Sequence, residues 1–156
     1  MKKILTLKKS ARIKTNSEAV ISVCEELAAQ DNLNAKSLVD VSRPDEAPLH
    51  KEFEWNDSIA GEKYREHQAR RLIRYVVIET PEVPKATPVR AYVNITAEKT
   101  GAYRPVDVVL SRPDSRAMLM RQARGDMEAF RAKYMSLMDE LQEVFAAINT
   151  ALIREG

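Results

Sequence analysis

The side chains best suited to base catalysis or to binding a soft metal ion are the two histidines of this 156-residue chain, His50 and His67. They do not have the spacing that places two ligands on one face of a helix, as in an H-E-x-x-H pattern. Cys24 is the single cysteine, so no pair of thiolates completes a metal-binding set. The sequence therefore predicts no metal site, and we expect His67 to lie on the surface or at a contact with a partner.

Acidic residues are concentrated in the segment 40–57. They are Asp40, Asp45, Glu46, Glu52, Glu54 and Asp57. Such a cluster could bind a divalent cation, as a nuclease requires. No lysine or histidine stands at a nuclease-like spacing from these carboxylates, so helix capping and solvated charge are the favoured interpretation. Whether this segment binds a cation stays open at this point.

Other catalytic patterns are absent from the sequence. The four glycines, Gly61, Gly101, Gly125 and Gly156, are isolated, so no glycine-rich phosphate loop exists. No G-x-S-x-G nucleophile elbow is present. Cys24 lies among apolar residues at helical spacing, which favours a small core residue over a reactive thiol. We therefore predict a protein that binds and assembles, with no catalytic residue and no cofactor.

Composition restricts the class of protein further. The chain is 44% hydrophobic, which suffices for a core, and its net charge of +2 means that any attraction to nucleic acid must come from local patches. No run of residues reaches the length of a membrane-spanning helix. The basic N-terminus is not followed by the apolar region of a signal peptide. We expect a cytoplasmic protein with no membrane partner.

The N-terminal arm, residues 1–16, contains six cations and no carboxylate. The cations are Lys2, Lys3, Lys8, Lys9, Arg12 and Lys14. One interpretation is a solvated tail or a short edge strand. The other is an arm that contacts a phosphate backbone through Lys2, Lys3, Lys8 and Lys9.

Residues 17–110 are predicted to form a compact α+β domain. Apolar residues at helical spacing predict three helices, over residues 18–30, 35–42 and 57–75. The predicted N-caps of these helices are Ser17, Asn34 and Asn56. Alternating β-branched residues predict strands, over residues 75–79, 90–96 and 103–110. The expected result is a helical N-terminal part followed by a small antiparallel sheet of two or three strands.

This order of helices and strands is similar to that of a winged helix-turn-helix, in which the third helix enters the major groove of DNA. The segment 57–75 would then be the reading helix. Its candidate nucleic-acid-binding residues are Lys63, Arg65, Gln68, Arg70, Arg71 and Arg74, accompanied by His67. The loop before it is longer than that of a standard helix-turn-helix, and a basic solvated helix is an equally ordinary interpretation.

Three apolar side chains lie in the loop before that helix: Leu49, Phe53 and Trp55, the single tryptophan. We expect them to hold the loop against the helix. The alternative is an exposed aromatic patch for a partner.

The segment 111–156 is predicted to be a long amphipathic helix, which Ser111-Arg112-Pro113-Asp114 would cap. Its apolar residues recur by three and four, as in a coiled coil. The candidate interface residues on this seam are Met120, Met127, Phe130, Tyr134, Leu137, Leu141, Val144 and Ile148. One such helix would exceed the span of the domain, so we expect it to join copies of the chain or bind a partner. The alternative is a helix that folds back on its own subunit, with a hairpin near Gly125.

The segment from Pro48 to Ile73 reads PLHxxFEWxDxxAxxxYRxxQARxLI. This block, together with the strands and long helix after it, resembles uncharacterised proteins encoded by tailed bacteriophages and prophages. The resemblance implies a phage or prophage origin and the cytoplasm of a bacterial host cell. It carries over no activity and no catalytic residue.

Two hypotheses follow from these observations. The leading one is a phage-encoded, non-enzymatic accessory protein that binds double-stranded DNA and self-associates through its C-terminal helix. The alternative is a structural or adaptor protein that assembles, or binds a phage or host protein, without any role for nucleic acid.

Overall fold

The computed structural model describes residues 4–59, 61–82, 87–95 and 101–154. The protein has an α+β fold, as the sequence predicts, with helices, two small antiparallel sheets and a long helix near the C-terminus.

The N-terminal arm contributes a strand to the first sheet. Strand β1 (Ile4–Leu7) pairs antiparallel with β2 (Val76–Glu79), and Leu5 lies opposite Ile78. The sheet order is β1-β2-β3, so β1 is an edge strand. The edge-strand interpretation of the arm is therefore confirmed for these residues, whereas Lys2 and Lys3 lie outside the described part of the chain.

The first two helices match their predictions closely. Helix α1 covers Ser17–Ala29, but its N-cap is Asn16, whose side chain accepts a hydrogen bond of 2.8 Å from the amide of Ala19. The predicted cap, Ser17, is wrong because it already belongs to the helix. Helix α2 covers Ala35–Val41 and begins at the predicted cap, Asn34.

Helix α3 covers Glu62–Tyr75 and starts later than predicted. Asn56 does not cap it, because its side-chain oxygen accepts hydrogen bonds from the amide and the hydroxyl of Ser58, at 3.0 and 2.6 Å. This local turn occupies the residues that propensity assigned to the first turn of the helix. Gly61 stands at the N-cap position instead.

The strand predicted over residues 90–96 is divided by a change of sheet. Strand β3 (Val89–Arg90) pairs with β2, and β4 (Tyr92–Asn94) pairs with β5 (Tyr103–Pro105) in a separate sheet. Ala91 lies between them. Its amide donates to the carbonyl of Val76 at 3.2 Å, and its carbonyl accepts from Val106 at 2.9 Å.

The strand predicted over residues 103–110 ends after three residues. Helix α4 (Val106–Ser111) follows, although its valines favour a strand by propensity. Val109 is buried in this helix, so tertiary packing overrides local preference here.

The C-terminal segment forms a helical hairpin. Helix α5 (Pro113–Lys133) is a long helix, as predicted, but it does not extend over the whole segment 111–156. The alternative of a hairpin near Gly125 is wrong in position, because α5 passes through this residue without a break. A turn over residues 134–141 reverses the chain, and α6 (Gln142–Ile153) packs back on α5. The rings of Phe130 and Phe145 are 6.4 Å apart, and a 2.7 Å hydrogen bond joins Arg131 to Asn149. We call α5, this turn and α6 the C-terminal hairpin.

The start of α5 differs from the predicted capping pattern. Arg112 stands at the N-cap position and Pro113 at the first turn. The hydroxyl of Ser111 donates to the carbonyl of Val108 at 2.9 Å, so it belongs to the end of α4 rather than to the start of α5.

The core lies where α1, α2 and α3 meet β1 and β2. Its fully buried side chains include Leu33, Leu38, Leu49, Leu72 and Ile73. Cys24 is buried in the same cluster, as the sequence predicts, and burial raises the pKa of its thiol to about 12. Helix α5, by contrast, has no buried residue. Across the described residues, no helix combines the length and apolar character needed to cross a membrane.

Candidate nucleic-acid interface

Packing fixes the rotation of α3 and therefore decides which of its cations reach solvent. Ala69, Leu72 and Ile73 are buried in the core. The opposite side of the helix carries Lys63, His67, Arg70 and Arg71, which are exposed, and Arg74, which is half-buried. We call these five residues the basic face of α3.

The basic face has few local counter-charges. Arg70 forms a 3.1 Å ion pair with Glu66, four residues earlier on the helix. Lys63, Arg71 and Arg74 form no ion pair with any described residue. A helix face with several unpaired cations attracts polyanions, and the attraction weakens as salt screens it.

Arg65 was predicted to contact nucleic acid, and its position contradicts this. It is 5% exposed, and its guanidinium lies 2.7 Å from Asp57, 3.2 Å from Glu62 and 3.1 Å from the carbonyl of Glu54. The hydrogen bond to Asp57 raises the pKa of the guanidinium, although burial acts in the opposite direction. Arg65 therefore binds the loop before α3 and does not reach solvent.

Gln68 was also predicted as a contact residue and is 7% exposed. Its side-chain oxygen accepts a hydrogen bond from the amide of Glu54 at 3.3 Å, and its nitrogen donates to the carbonyl of Glu52 at 3.4 Å. Because both functional groups bind the loop backbone, Gln68 holds the loop in place. It is removed from the candidate interface.

The loop between α2 and α3 is held by the aromatic residues that the sequence singled out. Leu49 and Phe53 are buried, and Trp55 packs against the core while remaining half-buried. The indole of Trp55 stacks on His50 and lies beneath the guanidinium of Arg65, at 5.5 Å from its ring centre. The prediction that these side chains hold the loop against α3 is confirmed.

The carboxylates of residues 40–57 do not converge. Asp40 pairs with Arg43, Asp57 pairs with Arg65, and Glu52 is buried with two backbone amides. Within the described ranges, no three histidine, cysteine or acidic side chains are placed to hold a metal ion. Each acid in this segment with a described contact thus serves local structure.

Further cations lie near the C-terminal end of α3. The amide of Lys8 donates a 2.9 Å hydrogen bond to the carbonyl of Tyr75, the last residue of α3, and Lys9 beside it is exposed. Arg90 lies opposite Val77 in the first sheet, and Arg74 and Arg90 line one shallow depression. Arg90 was missed by the sequence reasoning, because an alternating pattern does not reveal which strand ends approach the helix.

The predicted interface residues of the C-terminal hairpin divide into two groups. Met127, Tyr134, Leu141 and Ile148 are half-buried. Met120, Phe130, Leu137 and Val144 remain exposed. The seam therefore supplies both the packing within the hairpin and an apolar surface outside it.

A cleft of about 750 Å³ lies between α1 and α4, away from the basic face. Leu5, Ile78 and Tyr92 form part of its lining, and Asp107 and Arg112 contribute charge. Burial raises the pKa of the Tyr92 hydroxyl, so this group stays protonated near neutral pH and does not serve as a base there.

Comparisons with protein-family models, with curated proteins and with solved structures find no match to this chain. The function is therefore argued from the geometry of the site.

Proposed function

We propose that this protein is a phage-encoded, non-enzymatic accessory protein that binds double-stranded DNA through the basic face of α3 and self-associates through its C-terminal helices. The observation that carries the DNA-binding part is the two-sided character of α3. One side is fixed in the core, and the other presents five basic residues, of which Lys63, Arg71 and Arg74 form no ion pair within the described chain. The phage assignment is supported solely by the resemblance of residues 48–73 and of the strands and long helix after them.

The length of α3 and of the loop before it favours contact of α3 with the phosphates of DNA over the binding mode of a compact helix-turn-helix. Helix α3 has 14 residues, so it is roughly 21 Å long and could follow several phosphates of a groove. Residues 42–61 separate it from α2, and this connection is longer than the turn of a helix-turn-helix. Lys8, Lys9 and Arg90 extend the positive charge beyond the end of the helix. Contacts of this kind provide affinity with little sequence preference.

A titration of a labelled 30-base-pair random duplex, followed by fluorescence anisotropy at two salt concentrations, tests this proposal. We expect binding on the order of micromolar, with a steep loss of affinity as salt rises. The double variant Arg70→Ala/Arg71→Ala should bind more weakly. Its salt slope should be reduced by roughly 0.9 for each phosphate that the variant no longer neutralises.

The matched control is Lys36→Ala/Lys51→Ala, which removes the same charge from exposed positions outside α3 and the C-terminal hairpin. If both double variants lose affinity equally, net charge rather than the basic face attracts the duplex. If Arg70→Ala/Arg71→Ala binds as the wild type does, the assignment of the site is wrong.

A second candidate function is that of an adaptor that binds another protein. The exposed apolar residues of the C-terminal hairpin favour it, because a contiguous apolar surface on a small protein commonly marks a site of protein interaction. The same titration separates the two candidates. Folded wild-type protein that fails to bind the duplex at low salt excludes DNA binding and leaves the adaptor function.

A further inference from the structure

The heptad seam of the C-terminal segment consists of two rows, and the hairpin buries only one of them. Met127, Tyr134, Leu141 and Ile148 form the half-buried row. Phe145, buried between the helices, contacts Phe130 at a ring separation of 6.4 Å. Two helices alone can cover one stripe on each other, which leaves any second stripe in water.

The second row is exposed. Phe130, Leu137 and Val144 have 37%, 43% and 43% of their surface accessible, and Met135 and Met138 are exposed beside them at the turn. In the first half of α5, Leu119 and Ala123 line a depression shared with β4 and β5. The exposed row begins at Phe130, C-terminal to these residues.

Helical geometry places the two members of the exposed row that lie on helices, Phe130 and Val144, on one side of the hairpin. Each residue advances about 100° around a helix, so Phe130 lies beside the half-buried row of α5, and Val144 lies beside that of α6. The two helices run in opposite directions. Measured around each helix in its own chain direction, the angle from the half-buried row to Phe130 and the angle from that row to Val144 have the same sign. Phe130 and Val144 consequently project to the same side.

The charges of the hairpin are segregated between its two arms. Helix α5 carries two more cations than carboxylates, with Arg116, Arg121, Arg131 and Lys133 among them. Residues 134–153, the turn and α6, carry three carboxylates and no lysine or arginine; Asp139 and Glu140 lie in the turn, and Glu143 lies on α6. A surface that presents an apolar row between a basic arm and an acidic arm is complementary to a copy of itself turned by 180°.

We propose that a second copy of this chain covers the exposed row, with α5 of each copy alongside α6 of its partner in an antiparallel four-helix arrangement. This arrangement buries the row formed by Phe130, Leu137 and Val144 against its equivalent. It also sets each basic α5 beside an acidic arm, whereas an arrangement with α5 beside α5 would set like charges together. The inference rests on the self-association included in the proposed function and is independent of DNA binding.

Sedimentation equilibrium of the full chain, over roughly 1 to 100 µM, tests the interface. The wild type should be dimeric in this range. The double variant Leu137→Glu/Val144→Glu should dissociate at least tenfold more readily, because it places charges in the covered row. The control Ala132→Glu/Ala146→Glu adds the same charge at exposed positions that helical spacing places on the opposite side of the hairpin, and it should remain dimeric.

Circular dichroism and tryptophan emission of both variants verify that the fold is retained. A wild type that is monomeric at the highest concentration overturns the proposal. A control variant that dissociates as readily as Leu137→Glu/Val144→Glu overturns the assignment of the face.

Charge reversal provides a second test that leaves the apolar row intact. Glu140→Lys/Glu143→Lys should weaken the dimer by about tenfold, since each arm of the hairpin then becomes basic. Arg121→Glu/Lys133→Glu should weaken it for the converse reason. An equimolar mixture of the two variants should form a heterodimer, because each then supplies the charge that the other lacks.

If Glu140→Lys/Glu143→Lys dimerises as the wild type does, the antiparallel arrangement is wrong. If the mixture does not associate, the charge complementarity is wrong. These results are distinct from failure of DNA binding, which the duplex titration measures on its own.

Discussion

The imidazole of His50 stacks on the indole of Trp55, with ring centroids 5.0 Å apart and planes inclined by 12°. The indole Nε1 also donates a 2.8 Å hydrogen bond to the backbone carbonyl of His50. The guanidiniums of Arg43 and Arg65 lie 5.9 and 5.5 Å from the indole ring. Through these contacts one aromatic side chain connects the end of α2, the long loop and the buried side of α3. The packing of this buried side sets the orientation of the basic face.

Replacing Trp55 with alanine should lower the free energy of unfolding by about 2 to 4 kcal/mol, because it removes aromatic packing and a hydrogen bond and leaves a cavity beside Phe53. Urea denaturation followed by far-ultraviolet circular dichroism measures this change. Trp55→Phe keeps an aromatic ring and should cost less. Equal stability of Trp55→Ala and the wild type would show that the indole does not hold the loop.

Replacing Glu52 with glutamine should also destabilise the fold, by about 1 to 3 kcal/mol. The buried carboxylate accepts hydrogen bonds of 2.7 Å from the amides of both Lys14 and Thr15, and thereby ties the N-terminal segment to the loop before α3. An amide of the same shape lacks the charge that strengthens these bonds. Urea denaturation measures the loss, and the exposed Glu46→Gln, which removes the same charge, should be neutral. Equal effects of the two substitutions would assign the loss to overall charge.

The positions of the helices were predictable because the spacing of apolar residues indicates which side of a helix is buried. Asn34 caps α2, Tyr75 ends α3, and Cys24 is buried, all as the sequence indicates. The N-terminal end of α3 was missed because Asn56 and Ser58 bond to each other locally, and single-residue capping preferences do not weigh such turns against a helix.

The strands and α4 were harder to predict because their pairing depends on residues distant in sequence. Leu5 pairs opposite Ile78, and nothing in the alternation of either segment identifies the partner. Val106 to Ser111 favours a strand by composition, yet it forms a helix in which Val109 is buried. Long-range packing decides both cases.

The residues of the candidate site were predicted from their types. The structure corrects this list, because it shows which of the side chains on α3 face solvent. Arg65 and Arg71 are six positions apart, and both read as cations on one basic helix. Position on the helix separates them: Arg65 points into the loop and Arg71 into solvent. Composition alone could not separate them, because the inward side of α3 carries polar residues that bind its loop, Arg65 and Gln68, in addition to its apolar residues.

Cys24 should resist alkylation while the protein is folded. Its thiol is buried, and burial raises its pKa to about 12, so the reactive thiolate is scarce at pH 8.5. Mass spectrometry after treatment with iodoacetamide should show labelling in urea and little in buffer. Ser22→Cys in a Cys24→Ala background places a thiol at an exposed position of the same helix and should label in both conditions.

The same pKa shift predicts how stability depends on pH. Between the ordinary thiol pKa of 9.0 and the folded value of about 12, the unfolded chain loses a proton that the folded chain keeps. The contribution of Cys24 is therefore fully present below pH 9 and declines as pH rises through this window. Cys24→Ala should show a shallower alkaline decline in the free energy of unfolding than the wild type. An identical decline in the two proteins would contradict burial of the thiol.

Arg65 and Arg71 should have opposite effects when each is replaced by alanine. Arg65→Ala leaves the carbonyl of Glu54 and the carboxylate of Asp57 without this donor, so it should lower the thermal unfolding midpoint. At temperatures where the variant is folded, its salt slope for duplex binding should equal that of the wild type, because the guanidinium does not reach solvent. Arg71→Ala removes an exposed cation with no described ion pair, so it should leave the midpoint unchanged and reduce the salt slope by roughly 0.9. Calorimetry and the anisotropy titration measure the two quantities independently. A reduced salt slope in folded Arg65→Ala would mean that the loop opens when DNA binds and would return this arginine to the interface.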